Sequence, residues 1–326
     1  MSSLHHSLLT LALLFCVSSA HAFGGLFQRK AGPPESLEDI VLAQIVLDEG
    51  LMGPGKIDGK LGEFTVIAAR HYNEQRNLAA DNWFRILKDA QKNVKQPFTS
   101  YVVRDRDHQF VGAVPADPAD QEKLEYLSYR SLLELVAERY HTDERFLRKI
   151  NPGRNLDRLR VGESVTVPNV TPFEISAIRK HQRFGENQTL SSRYVIVDTQ
   201  IKVALIYEKK GGKLVASFPI TPGVKKFVPY GEWTMTTMVT TPEFRWDKRM
   251  LEEGERGDEF FQLPPGPNSP VGVIWAGLSK SGIGLHGTSS PETIGRSRSA
   301  GCIRLANWDA IRLSSVVRPG AVVIVK

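Results

Sequence analysis

Two cysteines, Cys16 and Cys302, are the only ones in this chain of 326 residues, and their positions limit how the chain can be held together. Cys16 lies in an apolar run at 8–17, within a segment that we expect to be cleaved off. The remaining chain then contains a single thiol and cannot form an internal disulfide. Its fold must depend on apolar burial and hydrogen bonds, and the retained thiol needs a chemical explanation.

The N-terminus has the order of a secretory signal peptide. A polar start is followed by an apolar run of about ten residues and by small residues that end in A-H-A at 20–22. We predict a signal peptide at 1–22 and export to the periplasm or cell envelope. The apolar run is shorter than the roughly 20 residues of a spanning helix, and no later segment approaches that length, so no membrane span is expected.

The remaining chain is too long for one ordinary domain, and we expect two or three. The formal net charge of +6 favours acidic partners, although ordinary surface charge also accounts for it. The sequence has no long block of Lys and Arg and no RNA-binding motif, so no nucleic-acid partner is expected.

The first folded segment is predicted to be helical. Residues 23–35 contain glycine and proline runs typical of a linker. A helix is predicted from Ser36, which with Asp39 resembles a capping box, and Gly50 is expected to end it. Apolar residues between them recur at helical spacing, which supports the same assignment.

The motif I-D-G-K-L-G-E-F-T at 57–65, followed by a second helix, resembles the small three-helix peptidoglycan-binding domain. Asp58 or Thr65 is expected to cap the second helix. The resemblance implies a peptidoglycan-binding-like helical domain at 36–97. A helical hairpin that binds no ligand is the alternative interpretation.

The next segment combines strands and helices. A short strand at 101–103 precedes a helix that Ser131 is expected to cap, then a second helix, N-P-G at 151–153 and a V-T-V-P strand. This order resembles a LysM glycan-binding module. The resemblance implies such a module at 98–169, with an insertion between the first strand and Ser131 that is long for that family.

The C-terminal part reads as β-rich. Residues 170–190 are polar and are predicted as a linker. Strands are predicted at 194–198, 202–207, 214–220 and 321–325, with many glycine, proline and β-branched residues between them. We therefore expect a mostly-β domain with few helices at 191–326.

The thiol of Cys302 has a candidate base nearby in the sequence. His286 precedes it by 16 residues, and a histidine within hydrogen-bond reach either takes the thiol proton during attack or holds a thiolate–imidazolium pair. Gly301 allows the backbone close to the substrate, and Arg304 is expected on the same side of a strand as Cys302, where it can hold a carboxylate. No second histidine or carboxylate accompanies His286 at ligand spacing, so neither a metal nor a cofactor is expected.

These residues belong to a longer pattern. The segments H-G-T at 286–288, S-A-G-C-I-R-L at 299–305, P-Y-G-E-W at 229–233 and N-S-P-V-G at 268–272 resemble the signature of the L,D-transpeptidase (YkuD) family. The resemblance implies a β-sandwich-like catalytic domain at 191–326 behind small wall-binding modules. It also implies that the protein acts on peptidoglycan stem peptides and glycan.

The resemblance further implies roles for individual residues. Cys302 would be the nucleophile, His286 the general base and acid, Gly287 an orienting carbonyl, and the amides of Gly301 and Cys302 an oxyanion hole. The predicted substrate-binding residues are Arg304, Ser299, Thr288 and Asn307. The expected reaction cleaves the L,D bond before the terminal D-alanine of a tetrapeptide and transfers the acyl group to an amine of another stem or of an envelope lipoprotein.

Two positions depart from the family pattern. Ala300 replaces a histidine that many members carry before G-C, and Ile283 stands where many have a tyrosine. The signature residues do not determine the acceptor, and three functions remain open. They are a transpeptidase, a peptidoglycan hydrolase that uses water as acceptor on the same fold, and a non-catalytic wall-binding protein.

Overall fold

The structure, a computed structural model, describes residues 32–224, 226–296 and 301–326. The predicted signal peptide, most of the predicted linker at 23–35, and Ser299 and Ala300 lie outside the described residues. The chain from Gly32 to Lys326 forms one compact unit. Within the described ranges, no helix is long and apolar enough to cross a bilayer.

Three helices form the N-terminal region: α1 (Leu37–Glu49), α2 (Glu63–Gln75) and α3 (Trp83–Asn93). The hydroxyl oxygen of Ser36 accepts a hydrogen bond from Asp39 N, and Gly50 follows the last turn of α1, so both predicted limits of this helix are confirmed. The three helices enclose an apolar core with Leu47, Ile86 and residues of the C-terminal sheet.

The predicted caps of α2 are wrong. This helix begins after Gly62 and has no side-chain cap. The side-chain oxygens of Asp58 and Thr65 instead accept hydrogen bonds from the amide of Gln44, at 3.2 Å each. Gln44 on α1 is buried, so its side-chain amide needs hydrogen-bond partners within the protein. Its hydrogen bonds to Asp58 and Thr65 fix the turn before α2.

The next region has the predicted strand, helix, helix, strand order. Its elements are β1 (Phe98–Val102), α4 (Pro118–Gln121), α5 (Leu132–Arg139), α6 (Glu144–Ile150) and β2 (Ser164–Pro168). β1 and β2 pair antiparallel, and the Ser131 side chain caps α5 as expected. The insertion before Ser131 is folded and contains a 3-10 turn at Asp105–Phe110 as well as α4.

The C-terminal region is mostly β, as predicted. Its elements are α7 (Gln188–Ser191), β3 (Tyr194–Asp198), β4 (Val203–Tyr207), β5 (Leu214–Pro219), β6 (Gly231–Thr240), β7 (Phe244–Trp246), α8 (Lys248–Glu253), β8 (Phe261–Leu263), β9 (Ile274–Leu278), β10 (Gly284–His286), β11 (Ile303–Arg304), α9 (Asn307–Val316) and β12 (Val322–Val325). Eight strands form one sheet in the order β11-β10-β9-β6-β12-β3-β4-β5, while β7 and β8 form a separate hairpin.

The eight-stranded sheet curls until its two edges meet. Thr221, just after β5, and Arg304 on β11 exchange two backbone hydrogen bonds of 2.9 and 3.0 Å. Residues from both halves of the sheet, such as Phe218 and Leu285, fill one core together with Leu313 of α9. The fold is thus mixed α/β, with an N-terminal helical region and a C-terminal curled sheet whose two halves share a core.

The N-terminal region is locked to the C-terminal sheet by a buried ionic cluster. Asp48 on α1 accepts hydrogen bonds from Arg312 on α9 at 2.6 Å and from His141 after α5 at 2.9 Å. Burial by itself would raise the pKa of Asp48, but the charges and hydrogen bonds of Arg312 and His141 outweigh it and hold the pKa at about 2. The His141 ring also stacks on Trp308. Three parts of the chain therefore meet at one carboxylate.

The segment at 170–190, predicted as a linker, is anchored at several points. Phe173 and Ile175 are buried in the core that β1, β2 and α5 share with α9. Phe173 N donates to Arg139 O at 2.7 Å, and Thr240 N donates to Gln182 O at 3.0 Å. The two flanking regions pack against each other through this segment, and the predicted domain limits at 97, 169 and 190 stay predictions.

Candidate active site

Strand register places the candidate reactive side chains on one face of the sheet. β10 and β11 run parallel, with Leu285 opposite Ile303 and His286 opposite Arg304. Leu285 and Ile303 are buried in the core, so the neighbouring positions face the other side. Cys302 directly precedes this two-residue strand, and it lines the same cavity as His286 and Arg304.

These three side chains line a cavity of about 810 Å³. Its walls come from β9, from the turn before β10 and from the β7–α8 segment. Of the predicted site residues, the cavity brings together Cys302, His286 and Arg304. Ile283, where the family often has a tyrosine, is also in its wall.

The imidazole of His286 is held by a carbonyl and by an aromatic ring. Its Nδ1 lies 2.6 Å from the carbonyl oxygen of Gly287, and its ring stacks on Trp275 with centroids 5.6 Å apart. Because a carbonyl oxygen only accepts hydrogen bonds, Nδ1 must carry the proton. The lone pair is then on Nε2, the nitrogen that a general base needs.

The electrostatics favour a neutral thiol and a neutral imidazole in the resting site. Burial lowers the pKa of His286 to about 4, assisted by the charge of Arg304 and opposed by the Gly287 carbonyl. Burial raises the pKa of the Cys302 thiol, against a backbone hydrogen bond at Gly284 and the Arg304 charge. Both shifts favour a neutral thiol beside a neutral imidazole over a preformed thiolate–imidazolium pair in the resting site.

This charge state predicts the pH dependence of thiol alkylation. A thiol whose pKa is raised reacts faster as the pH rises, so the rate of Cys302 alkylation by iodoacetamide should still be increasing above pH ~8.5, the ordinary cysteine pKa. The measurement is the alkylation rate from pH 5 to 10, followed by intact-protein mass. A midpoint below pH ~7 would instead indicate a thiolate–imidazolium pair.

The backbone conformation and surroundings of Gly301 favour glycine. Its φ is +125°, in the region that favours glycine, and an added Cβ would lie 3.0 Å from the carbonyl oxygen of Phe227. The Sγ of Cys302 lies 3.5 Å from the carbonyl oxygen of Gly282. A side chain at 301 would therefore disturb the backbone next to the sulfur.

The other predicted binding residues lie elsewhere. Thr288 is buried, and its hydroxyl oxygen accepts a hydrogen bond from Ser290 N at 3.3 Å. Asn307 is fully buried and bonds to protein atoms behind the Gly287 backbone. Neither contributes to the cavity wall. Ser299 lies outside the described residues.

Sequence reasoning missed several residues of the cavity wall. Trp275 is opposite His286 on β9, a pairing that depends on strand register and has no local sequence signal. Arg183, Arg245 and Arg256 also line the cavity and come from segments outside the recognised motifs. Within the described ranges, no cluster of three or more His, Cys, Asp or Glu side chains is arranged to hold a metal ion.

The match to a protein family covers this site. Residues 192–325 match the family model YkuD, described as the L,D-transpeptidase catalytic domain. The C-terminal part of the chain is a YkuD-family L,D-transpeptidase catalytic domain. The match begins just before β3 and includes β3–β12, so it covers the curled sheet and most of the cavity wall, while His181 and Arg183 of that wall precede it.

Parts of the chain are also similar to other known proteins. A Bacillus licheniformis protein named YkuD, whose L,D-transpeptidase name is provisional, is 26% identical over 189 residues, which are 58% of this chain and 89% of that protein. Bacillus subtilis YqjB, with a similarly provisional name, is 28% identical over 148 residues, which are 43% of this chain and 75% of its own length. An L,D-transpeptidase structure from Mycobacterium smegmatis is 17% identical with a TM-score of 0.32, over 52% of this chain and 76% of that one.

Proposed function

We propose that this protein is an exported, cysteine-dependent L,D-transpeptidase that acts on peptidoglycan stem peptides in the periplasm or cell envelope. The observation that carries the proposal is the convergence of Cys302, His286 and Arg304 on one cavity of the L,D-transpeptidase domain. A nucleophile, a base with its lone pair on Nε2 and a cation at the same cavity are the groups that acyl transfer from an anionic peptide requires.

The first half-reaction makes a thioester. Nε2 of His286 accepts the Cys302 proton while Sγ attacks the carbonyl carbon of the third stem residue. The amides of Gly301 and Cys302 stabilise the resulting oxyanion. The bond to the terminal D-alanine then breaks, and His286 returns the proton to the departing amine.

The second half-reaction transfers the acyl group. An acceptor amine attacks the thioester carbon, loses a proton to His286 and displaces Cys302 as a thiolate, which recovers that proton. The acceptor is an amine of a second stem or of an envelope lipoprotein. The Nδ1 contact with the Gly287 carbonyl stabilises the imidazolium in both steps, because Nδ1 remains a donor when the ring is charged.

The cavity charge suits a donor that carries carboxylates. Arg183, Arg256 and Arg304 line the cavity without an ion pair to any described residue. The Arg304 guanidinium is largely buried, and burial lowers its pKa, so binding a carboxylate there would offset its desolvation. We assign the terminal carboxylate of the donor stem to Arg304. Thr288 and Asn307 do not line the cavity, and we expect them to support the backbone next to His286 rather than to contact the substrate.

The N-terminal regions are proposed to bind the cell wall. The antiparallel β1–β2 pair with α5 and α6 between them supports a LysM-like module for glycan, and α1–α3 support a peptidoglycan-binding-like domain. The alignment with the Bacillus licheniformis protein covers a larger share of the chain than 192–325, so it also includes residues outside the catalytic domain. Together these regions would hold the catalytic domain against its polymeric substrate.

A hydrolase is the second candidate, because the cavity is open to solvent on the side of Arg183 and Arg256, which are both exposed. In that case water resolves the thioester, and the product is a tripeptide stem. A non-catalytic wall-binding protein is the third candidate.

The test uses protein lacking residues 1–22, incubated with disaccharide-tetrapeptide muropeptides and analysed by mass spectrometry. We expect dimers that have lost one D-alanine. Tripeptides without dimers, also when a soluble D-amino acid amine is supplied as acceptor, would favour the hydrolase. Unchanged tetrapeptides with correctly folded protein would favour the wall-binding protein and contradict the proposal.

A further inference from the structure

A buried carboxyl of the N-terminal region reaches the backbone beside His286. Glu138, on α5 of the predicted LysM-like module, is 5% exposed and accepts a hydrogen bond from Tyr129 OH at 2.7 Å. The amide nitrogen of Asn307 donates to its two oxygens at 3.1 and 3.2 Å. Asn307 belongs to the L,D-transpeptidase domain, so this contact joins the two regions.

Asn307 in turn lies against two backbone segments of the site. Its Oδ1 accepts a hydrogen bond from Val273 N at 3.1 Å. A Cβ added to Gly272 or to Gly287 would lie 2.1 Å from this same oxygen. Both segments therefore pack directly on the Asn307 amide, and one of them supplies the carbonyl that orients the His286 ring.

The carboxyl of Glu138 and the carbonyl oxygen of Pro267, which lies 3.2 Å from the Asn307 amide nitrogen, together determine which way the Asn307 amide points. With an acceptor on one side and the Val273 N–H donor on the other, only one of the two amide orientations satisfies both partners. Burial raises the pKa of Glu138 to about 8, against the hydrogen bonds from Tyr129 and Asn307, so the carboxyl is mostly protonated at neutral pH. One oxygen still accepts from Asn307 in that state.

We propose that Glu138 is a positioning residue for His286, acting through Asn307 and the Gly287 backbone, so that the predicted LysM-like module completes the active site of the domain behind it. The inference rests on the proposed function, since it assumes that His286 is the base. Glu138 touches neither the cavity nor the reacting atoms.

The decisive variant is Glu138→Leu, which keeps the approximate side-chain volume and removes both carboxyl oxygens, so that the Asn307 amide keeps only the Pro267 carbonyl as an acceptor among its described partners. We expect kcat for D-alanine release to fall about 10- to 100-fold with KM nearly unchanged, because a displaced base slows chemistry rather than binding. Glu138→Gln keeps one acceptor oxygen and should recover most of kcat.

Asn151→Ala is the matched control for lost stability. Asn151 is buried in the same module, and its side chain bonds only to Leu147 and Thr166 within that module. We expect it to lower Tm while leaving kcat within about twofold of the wild type, since nothing links it to His286. Assays are run well below the Tm of each variant.

Equal kcat in wild type and folded Glu138→Leu would overturn the inference. So would a loss of kcat in Asn151→Ala as large as that in Glu138→Leu, because the effect would then follow stability. If Glu138→Leu does not fold, Glu138→Met, which also lacks the carboxyl oxygens, decides by NMR. A shifted His286 ring signal with a reduced kcat supports positioning, and an unchanged signal with unchanged kcat overturns it. Failure of the proposed function is distinct, because wild-type protein would then release no D-alanine.

Discussion

Replacing Cys302 by alanine should reduce release of D-alanine from a tetrapeptide stem to background, a loss on the order of 10⁴-fold or more. The sulfur is the acyl carrier, and no other cysteine would remain in the exported chain to replace it. The measurement is D-alanine release under identical conditions for both proteins.

The fold should tolerate this change. Cys302 is only partly buried, and its Sγ makes a weak contact with the carbonyl oxygen of Gly282 at 3.5 Å. We expect an unchanged Tm for Cys302→Ala within a few degrees. Cys302→Ser is the matched control, because it keeps a hydroxyl of similar size at the same place and should also be inactive. Wild-type release rates from folded Cys302→Ala would remove the thiol from the mechanism.

Replacing His286 by alanine should lower the rate of Cys302 acylation by roughly 10²- to 10⁴-fold, the usual contribution of a positioned general base. The raised pKa of the thiol leaves it protonated at neutral pH, so attack is slow when no base is present. Because burial holds the pKa of His286 at about 4, the wild-type base stays unprotonated until the pH falls toward that value. The wild-type rate should therefore be nearly constant between pH 7 and 5, because the thiol and the imidazole both stay in the neutral forms from which attack begins.

His71→Ala is the matched control for this second prediction. His71 on α2 is a partly buried histidine whose pKa is also lowered by burial, and its Nδ1 contacts Ser217 Oγ at 2.8 Å, away from the cavity. It should lose stability without losing acylation rate. A His286→Ala protein that acylates at the wild-type rate would show that another group removes the thiol proton.

Short local patterns made much of the fold predictable. Ser36 and Ser131 cap helices through side-chain bonds to residues three positions away, and such bonds can be read directly from the sequence. The strand at 194–198 has the β-branched composition of a buried strand and is observed as predicted. Asp58 and Thr65 look equally suited as caps, but a distant residue, Gln44, takes up their side chains. A prediction made from neighbouring residues alone cannot account for hydrogen bonds to a residue as distant in sequence as Gln44.

Contacts between distant parts of the chain were not predictable. Arg312 and Asp48 are 264 residues apart, and Asn307 and Glu138 are 169 apart. Asp48, Glu138 and Arg312 each resemble an ordinary polar position when read alone, and Asn307 was predicted only as a substrate-binding residue. Their burial follows only from how α1, α5 and α9 pack around one another.

The candidate site was predictable where a short motif coincides with adjacent strands. Cys302 directly precedes β11, which contains Arg304, and His286 pairs with Arg304, so sequence spacing and register agree. Trp275 and the arginines of the cavity wall depend on how β9 and the β7–α8 segment fold over that strand. The nucleophile and base therefore came from the motif, while the shape and charge of the cavity came only from the tertiary structure.

The most direct test of the account is to trap the acyl-enzyme. Wild-type protein is mixed with a tetrapeptide donor in the absence of an amine acceptor, quenched in acid, digested and analysed by mass spectrometry. The account predicts a thioester on the peptide that contains Cys302, with the mass of the donor minus D-alanine. Donor turnover without any adduct on that peptide, or with an adduct on a different residue, would contradict it.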